Sequence, residues 1–238
     1  AQRSADRTPA GTPVAGELET IVAIRSAFLE EYQDAALAQR YRRRIEALGS
    51  LEATRSPGHS GLTEAAARGY FKLLAYKDEY EVARLQTDAT FERLMAAKFE
   101  GVQRIFYHLA PPIFARREPR TGEPRKLRFG PWLRPLLKIL AKGKALRGTP
   151  WDPFGYTAER KLERRMISEF EALLDEIGKR LSPETHAAAV ALAALPEDIR
   201  GFGHIKRENC EAAKRREAQL LVTLRQPPRQ SERRPAAE

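Results

Sequence analysis

The stretch that decides the fold class runs from Glu17 to Leu48, Glu17-Leu18-Glu19-Thr20-Ile21-Val22-Ala23-Ile24-Arg25-Ser26-Ala27-Phe28-Leu29-Glu30-Glu31-Tyr32 and onward to Arg44-Ile45-Glu46-Ala47-Leu48. Ile21, Ile24, Phe28, Tyr32, Ala35, Ala38, Tyr41, Ile45 and Leu48 follow one another at steps of three and four. That spacing lays them on one stripe of an amphipathic helix. The pattern predicts one long helix over about 17–48, stopped by Gly49.

The same periodicity recurs outward from it. After a Gly-, Ser- and Pro-rich loop from Ser50 to Gly61, a second helix is expected from Leu62 through Leu85. Thr87-Asp88 breaks it and caps a short helix from Thr90 to Phe99. Val102, Ile105, Phe106 and Tyr107 favour a strand, which residues 124–129 can pair with. Trp132, Leu133, Leu136, Leu137 and Leu140 make the apolar face of a further helix, with Lys138 and Lys142 opposite and Pro135 tolerated in its first turn. Leu162, Met166, Phe170, Leu173, Ile177 and Leu181 form the buried stripe of a helix over about 157–181. Ser182-Pro183 reads as the cap and first position of the next helix. That helix ends at Leu195-Pro196, and a last one covers about 205–223. The expectation is a mainly α, multi-helix domain over 17–225, with a small β-hairpin near 102–129. Residues 1–16 read as a flexible linker and 226–238 as a disordered tail.

Composition narrows the function classes. A chain of 238 residues with 42% hydrophobic and 31% charged residues is an ordinary globular sequence. It is long enough to bury a core. No apolar run approaches the ~20 residues of a membrane span. No apolar core of a signal peptide stands in residues 1–16. One cysteine, Cys210, excludes an internal disulfide and fits a reducing, cytoplasmic compartment.

The net charge of +10 is unevenly placed. Residues 116–147 hold eleven bases (Arg116, Arg117, Arg120, Arg125, Lys126, Arg128, Arg134, Lys138, Lys142, Lys144 and Arg147) against two acids, Glu118 and Glu123. Such a field attracts an acidic partner and speeds its arrival. Arg116, Arg117, Arg120, Arg125, Lys126, Arg128, Lys138 and Lys142 are the candidate partner-binding residues. Aromatic residues are not interleaved with these bases as a single-strand stacking platform requires, which argues against nucleic acid. A basic helix on anionic lipid is a further reading.

Catalytic motifs are not found. Iron–sulfur ligation fails on count with one thiol. His59, His108, His186 and His204 show no pair at helical spacing. Gly201-Phe202-Gly203 lacks the third glycine of a dinucleotide fingerprint and reads as a helix–helix turn. His204 and Lys206 beyond it offer only weak anion contacts. Gly58-His59-Ser60-Gly61 sits in a loop rather than in a strand–turn–helix nucleophile elbow. Lys77, Asp78, Glu81 and Arg84, with His108 and His204, are candidates for a polar network where helices meet. Glu81 stands four residues after Lys77 and three before Arg84, the spacing of helical ion pairs. His108 is expected to be buried and hydrogen-bonded.

Four strings carry a family resemblance: Leu73-Leu74-Ala75-Tyr76-Lys77-Asp78-Glu79-Tyr80-Glu81-Val82-Ala83-Arg84-Leu85, Phe106-Tyr107-His108-Leu109-Ala110-Pro111-Pro112, Leu146-Arg147-Gly148-Thr149-Pro150-Trp151-Asp152-Pro153-Phe154-Gly155, and Leu195-Pro196-Glu197-Asp198-Ile199-Arg200-Gly201-Phe202-Gly203-His204-Ile205-Lys206. With Leu29 to Ala36, Phe99-Glu100-Gly101 and Phe129-Gly130-Pro131-Trp132, they resemble the C-terminal domain of the long, fused indolepyruvate ferredoxin oxidoreductases, over about Leu29 to Leu221. In that family an arylpyruvate is decarboxylated oxidatively on thiamine pyrophosphate with Mg²⁺. The acyl group passes to coenzyme A, and electrons pass through Fe–S clusters to ferredoxin. The resemblance implies that those cofactors sit in upstream catalytic domains, and it carries no catalytic residue onto this chain. It implies a role in assembly with those domains or in docking an acidic ferredoxin. The departure lies at residues 1–16, linker-like where the fused enzymes show the end of a catalytic domain. The alternative from another class is a free-standing helical binding module with a basic face for nucleic acid or another acidic partner.

Overall fold

The computed structural model describes residues 15–110, 126–201 and 203–226. The proposed linker and tail lie outside them, apart from Ala15-Gly16 and Gln226. Among the described residues the chain is mainly α-helical with one small antiparallel hairpin, as the sequence predicts. The helices are α1 (Ala15–Tyr32), α2 (Ala35–Arg55), α3 (Leu62–Leu74), α4 (Glu79–Leu85), α5 (Ala89–Lys98), α6 (Leu133–Lys142), α7 (Ala158–Arg180), α8 (His186–Ala194) and α9 (Gly203–Arg225). Strands β1 (Tyr107–Leu109) and β2 (Leu127–Phe129) pair with Tyr107 opposite Phe129 and His108 opposite Arg128. No helix among the described residues is long and apolar enough to cross a membrane.

Several boundaries depart from the periodicity, each for a local reason. The expected helix over 17–48 is two helices. At the end of α1 the carbonyl of Glu31 accepts from Lys144 Nζ at 2.6 Å, and that of Tyr32 from Arg147 Nη1 at 2.7 Å. Side chains thus satisfy the carbonyls that a continued helix would have used. Gly49 does not stop α2, which runs on to Arg55 with Gly49 beside Thr63. The expected helix from Leu62 to Leu85 is also two. Tyr76 O accepts from Tyr32 Oη at 2.7 Å, Lys77 O accepts from Arg160, and Asp78 caps α4. Asp88 caps α5 as expected, accepting from Phe91 N at 2.7 Å. Helix α8 begins at His186 rather than at Pro183. Thr185 Oγ1 accepts from Ser182 N and donates to Arg180 O, which closes a turn there first.

The chain divides into two compact units. One comprises Ala1–Glu30, Ala35–Leu74 and Met166–Glu238, the other Glu31–Asp34 and Ala75–Arg165.

In the first unit α3 packs against α2 and α8. Tyr41 stacks on Tyr70, and Tyr70 on Phe170. Met166, Phe170, Leu173, Ile177 and Leu181 are buried as the stripe predicts. Ile24, expected on the first stripe, is exposed, and Leu29 is buried in its place. Gly69 of α3 lies so close to α8 that an added Cβ would stand 2.6 Å from Ala193 O. Glu52 of α2 accepts from the backbone of Leu62 and Thr63 at 2.9 Å each, capping α3 from a distant helix.

In the second unit the hairpin closes over α4 and α6. Ala83, Tyr107, Leu133 and Leu137 are buried together, with Ile105, Leu109, Phe129 and Leu140 packed around them.

Candidate functional site

The second unit brings together two of the resemblance strings. Asp78-Glu79-Tyr80-Glu81 is a helix start whose side chains divide their tasks. Asp78 Oδ1 accepts from Glu81 N at 2.8 Å. Its carboxylate also receives Arg147, Nε to Oδ2 at 2.5 Å and Nη2 to Oδ1 at 3.0 Å. The guanidinium lies 3.6 Å over the Tyr32 ring and donates to Tyr32 O. Both charged side chains are only 3% exposed. Burial is the largest influence on Arg147 and lowers its pKa, but the Asp78 hydrogen bond and the charges of Tyr32, Asp78 and Tyr76 together outweigh it, so the guanidinium is held above its ordinary value.

Around this pair the string Gly148 to Gly155 folds on Asp152. Its carboxylate accepts from Tyr80 Oη, Phe154 N and Gly148 N, each at 3.1 Å. Gly155 allows that approach, because a Cβ there would stand 2.9 Å from Asp152 Oδ2. Burial, then the Asp152 charge, pushes the Tyr80 hydroxyl well above the usual phenol range. Tyr76 is raised to about 12 by burial and by Asp78. Glu79 turns instead to Arg160, at 3.5 Å. Sealed charges of this kind do not meet a substrate. They brace the segment that follows α6.

The other candidate network members separate. Glu81 and Arg84 form a two-pronged pair at 2.8 Å on each prong, with Arg84 also 3.4 Å from Glu31 and 3.7 Å from Asp88. Lys77 is exposed and precedes α4, so it makes no helical pair with Glu81. His108 is a correction: it is exposed, because strand alternation turns Tyr107 inward and its neighbour out. His204 lies in the first turn of α9, exposed, in the first unit. The turn before it uses positive φ at Gly201 and Gly203, as read from the sequence.

Of the basic candidates, Arg116, Arg117, Arg120 and Arg125 lie outside the described residues. Lys126, Arg128, Lys138 and Lys142 are exposed in the second unit. Arg128 lies 3.8 Å over the Phe106 ring. Arg134 pairs with Glu92, which Lys138 approaches at 4.0 Å. Arg147 is withdrawn from the surface altogether, so the outward field is smaller than the count of bases suggests. Residues 126–147 still hold seven bases and no acid.

Helix α6 is a second correction. Leu133 and Leu137 face the core, but Trp132, Leu136 and Ile139 are 63%, 57% and 68% exposed. A groove of about 210 Å³ beside the helix start is lined by Val102, Ile105, Tyr107, Pro131 and Arg134. It is below the ~300–1,000 Å³ of small-molecule sites.

Sequence spacing missed one site in the first unit. Glu52, 7% exposed, accepts from Thr63 Oγ1 at 2.5 Å and meets His186 Nε2 at 2.8 Å. His59 stands 5.1 Å from His186, ring to ring. No local signal links positions 134 apart. Burial raises the Glu52 pKa, but hydrogen bonds from Thr63, His186 and Leu62 outweigh it and hold the carboxyl below its usual range. Among the described residues no group of three or more His, Cys, Asp or Glu is placed to hold a metal ion.

No curated protein and no solved structure matches the chain. A family model does, over residues 18–219, which takes in both compact units and all four strings singled out above. The chain belongs to the family of unknown function DUF6537.

Proposed function

We propose that this chain is a non-catalytic helical domain of an indolepyruvate ferredoxin oxidoreductase, and that its second unit docks the acidic ferredoxin. The observation that carries the reading is the stretch from Lys126 to Lys144, which holds six bases and no acid on a hairpin strand and helix, Arg147 being buried against Asp78. The resemblance of the four strings supports it. Electrostatic attraction would speed encounter and set orientation more than it would deepen affinity.

The parent enzyme's cofactors belong elsewhere on this reading. Cys210, the single cysteine, lies 3.6 Å from Met166 Sδ and cannot supply the several thiolates of an Fe–S cluster. Thiamine pyrophosphate, Mg²⁺ and the clusters are assigned to the upstream catalytic domains, which are the second partner. A cytoplasmic location goes with this assignment.

The test is ferredoxin binding to the full chain by calorimetry at ~50 and ~500 mM salt. The expected outcome is affinity that falls with salt and weakens on Lys126→Glu with Arg128→Glu. Affinity indifferent to both would refute the reading. Retention of duplex DNA at physiological salt, with no ferredoxin bound, would favour the free-standing nucleic-acid module instead.

A further inference from the structure

Helix α6 is apolar on two faces. Its inner face is spent on Ala83 and Tyr107. At 3.6 residues per turn, Trp132, Leu136 and Ile139 lie within about 60° of one another on another face. Three large apolar groups in a row are not the scatter of single hydrophobics usual on a surface. Trp132 is also held in place. Its ring meets Phe129 edge-on at 6.0 Å, and Gly130 leaves room for it, since a Cβ there would stand 3.2 Å from the indole. An indole fixed from two sides and open on a third is the form an interface anchor takes, because little side-chain entropy remains to be lost on binding.

The flank is charged. Lys138 and Lys142 fall to one side of the stripe, both exposed. This arrangement of apolar centre and charged rim is that of a protein interface. Glu92 stands 4.0 Å from Lys138, but the two lysines leave the rim predominantly basic, which disfavours a second copy of the chain, since like charges would face each other. Three side chains are too little apolar area to hold a lipid surface firmly, because such binding scales with buried area.

We propose that Trp132, Leu136 and Ile139 form the anchor of a docking surface for an acidic protein, with Lys138 and Lys142 at its rim. This rests on the docking reading above and names the contact that would give it lifetime: charge brings the partner, and the stripe retains it.

An acidic ferredoxin is the probe, titrated against the full chain, against Trp132→Ser with Ile139→Ser, and against Lys138→Glu with Lys142→Glu. The stripe variant is expected to weaken binding at least about tenfold at both low and high salt, chiefly through faster dissociation. The charge variant is expected to weaken it at low salt and slow association. Circular dichroism of each variant checks that the helices remain. Unchanged affinity in the stripe variant, with loss in the charge variant, would overturn the anchor and leave the docking reading standing. No binding by the unaltered chain would overturn both. A dimer in sedimentation that the stripe variant abolishes, or binding to phosphatidylglycerol vesicles that it abolishes, would give the stripe to another occupant and overturn the proposal.

Discussion

Arg147 and Asp78, 69 residues apart, meet in a two-pronged ion pair sealed from solvent, and the same guanidinium ends α1 by taking the carbonyl of Tyr32. One side chain therefore settles where a helix stops and how a basic segment is braced.

Removing either partner leaves the other charged and buried. Arg147→Ala and Asp78→Ala should each cost about 3–5 kcal/mol in urea unfolding. The double variant should lose much less than the sum, since the stranded charge is gone. Arg147→Lys should also destabilise, because an ammonium cannot span both carboxylate oxygens. Additive losses in the cycle would show that the two do not act as a pair.

Glu52 carries a pH signature. Its carboxyl is held below the usual range in the folded protein. Its contribution is therefore present above the unfolded value of ~4.3 and is lost as pH falls through the folded value. Glu52→Gln should cost about 1–3 kcal/mol near neutrality, and the two melting curves should converge in acid. A gap that persists undiminished in acid would refute this assignment.

Two helical glycines should respond oppositely to alanine. Gly49→Ala meets Thr63 Cγ2 at 3.5 Å and Oγ1 at 3.6 Å, both ordinary contacts, so the gain in helix propensity should stabilise by about 0.5–1 kcal/mol. Gly69→Ala drives a methyl to 2.6 Å from Ala193 O. Forced separation of α3 and α8 should destabilise by about 1–3 kcal/mol despite the same gain. Chemical denaturation of both variants measures the contrast, and a shared sign would contradict the packing described.

Tyr76, raised to about 12, makes the fold sensitive to alkali. A folded value above the unfolded one of ~10 gives stability that is complete below ~10 and lost as pH rises through about 12. Tyr76→Phe should flatten the fall in melting temperature across that window. An unchanged slope would show that Tyr76 does not titrate late.

The sequence by itself determined the helical class, the hairpin, the cap at Asp88 and the buried stripe of α7, since each depends on neighbours within a few residues. Tertiary structure alone decided that the stripe from Ile21 to Leu48 is two helices, because the break is made by Arg147 and Lys144. It alone decided that Gly49 stays helical while Gly69 serves a close helix contact, that Glu52 caps α3 and meets His186, and that α6 turns Trp132, Leu136 and Ile139 outward. A periodic pattern marks which residues are apolar. Which of those faces is covered depends on elements far along the chain, and no local spacing records them.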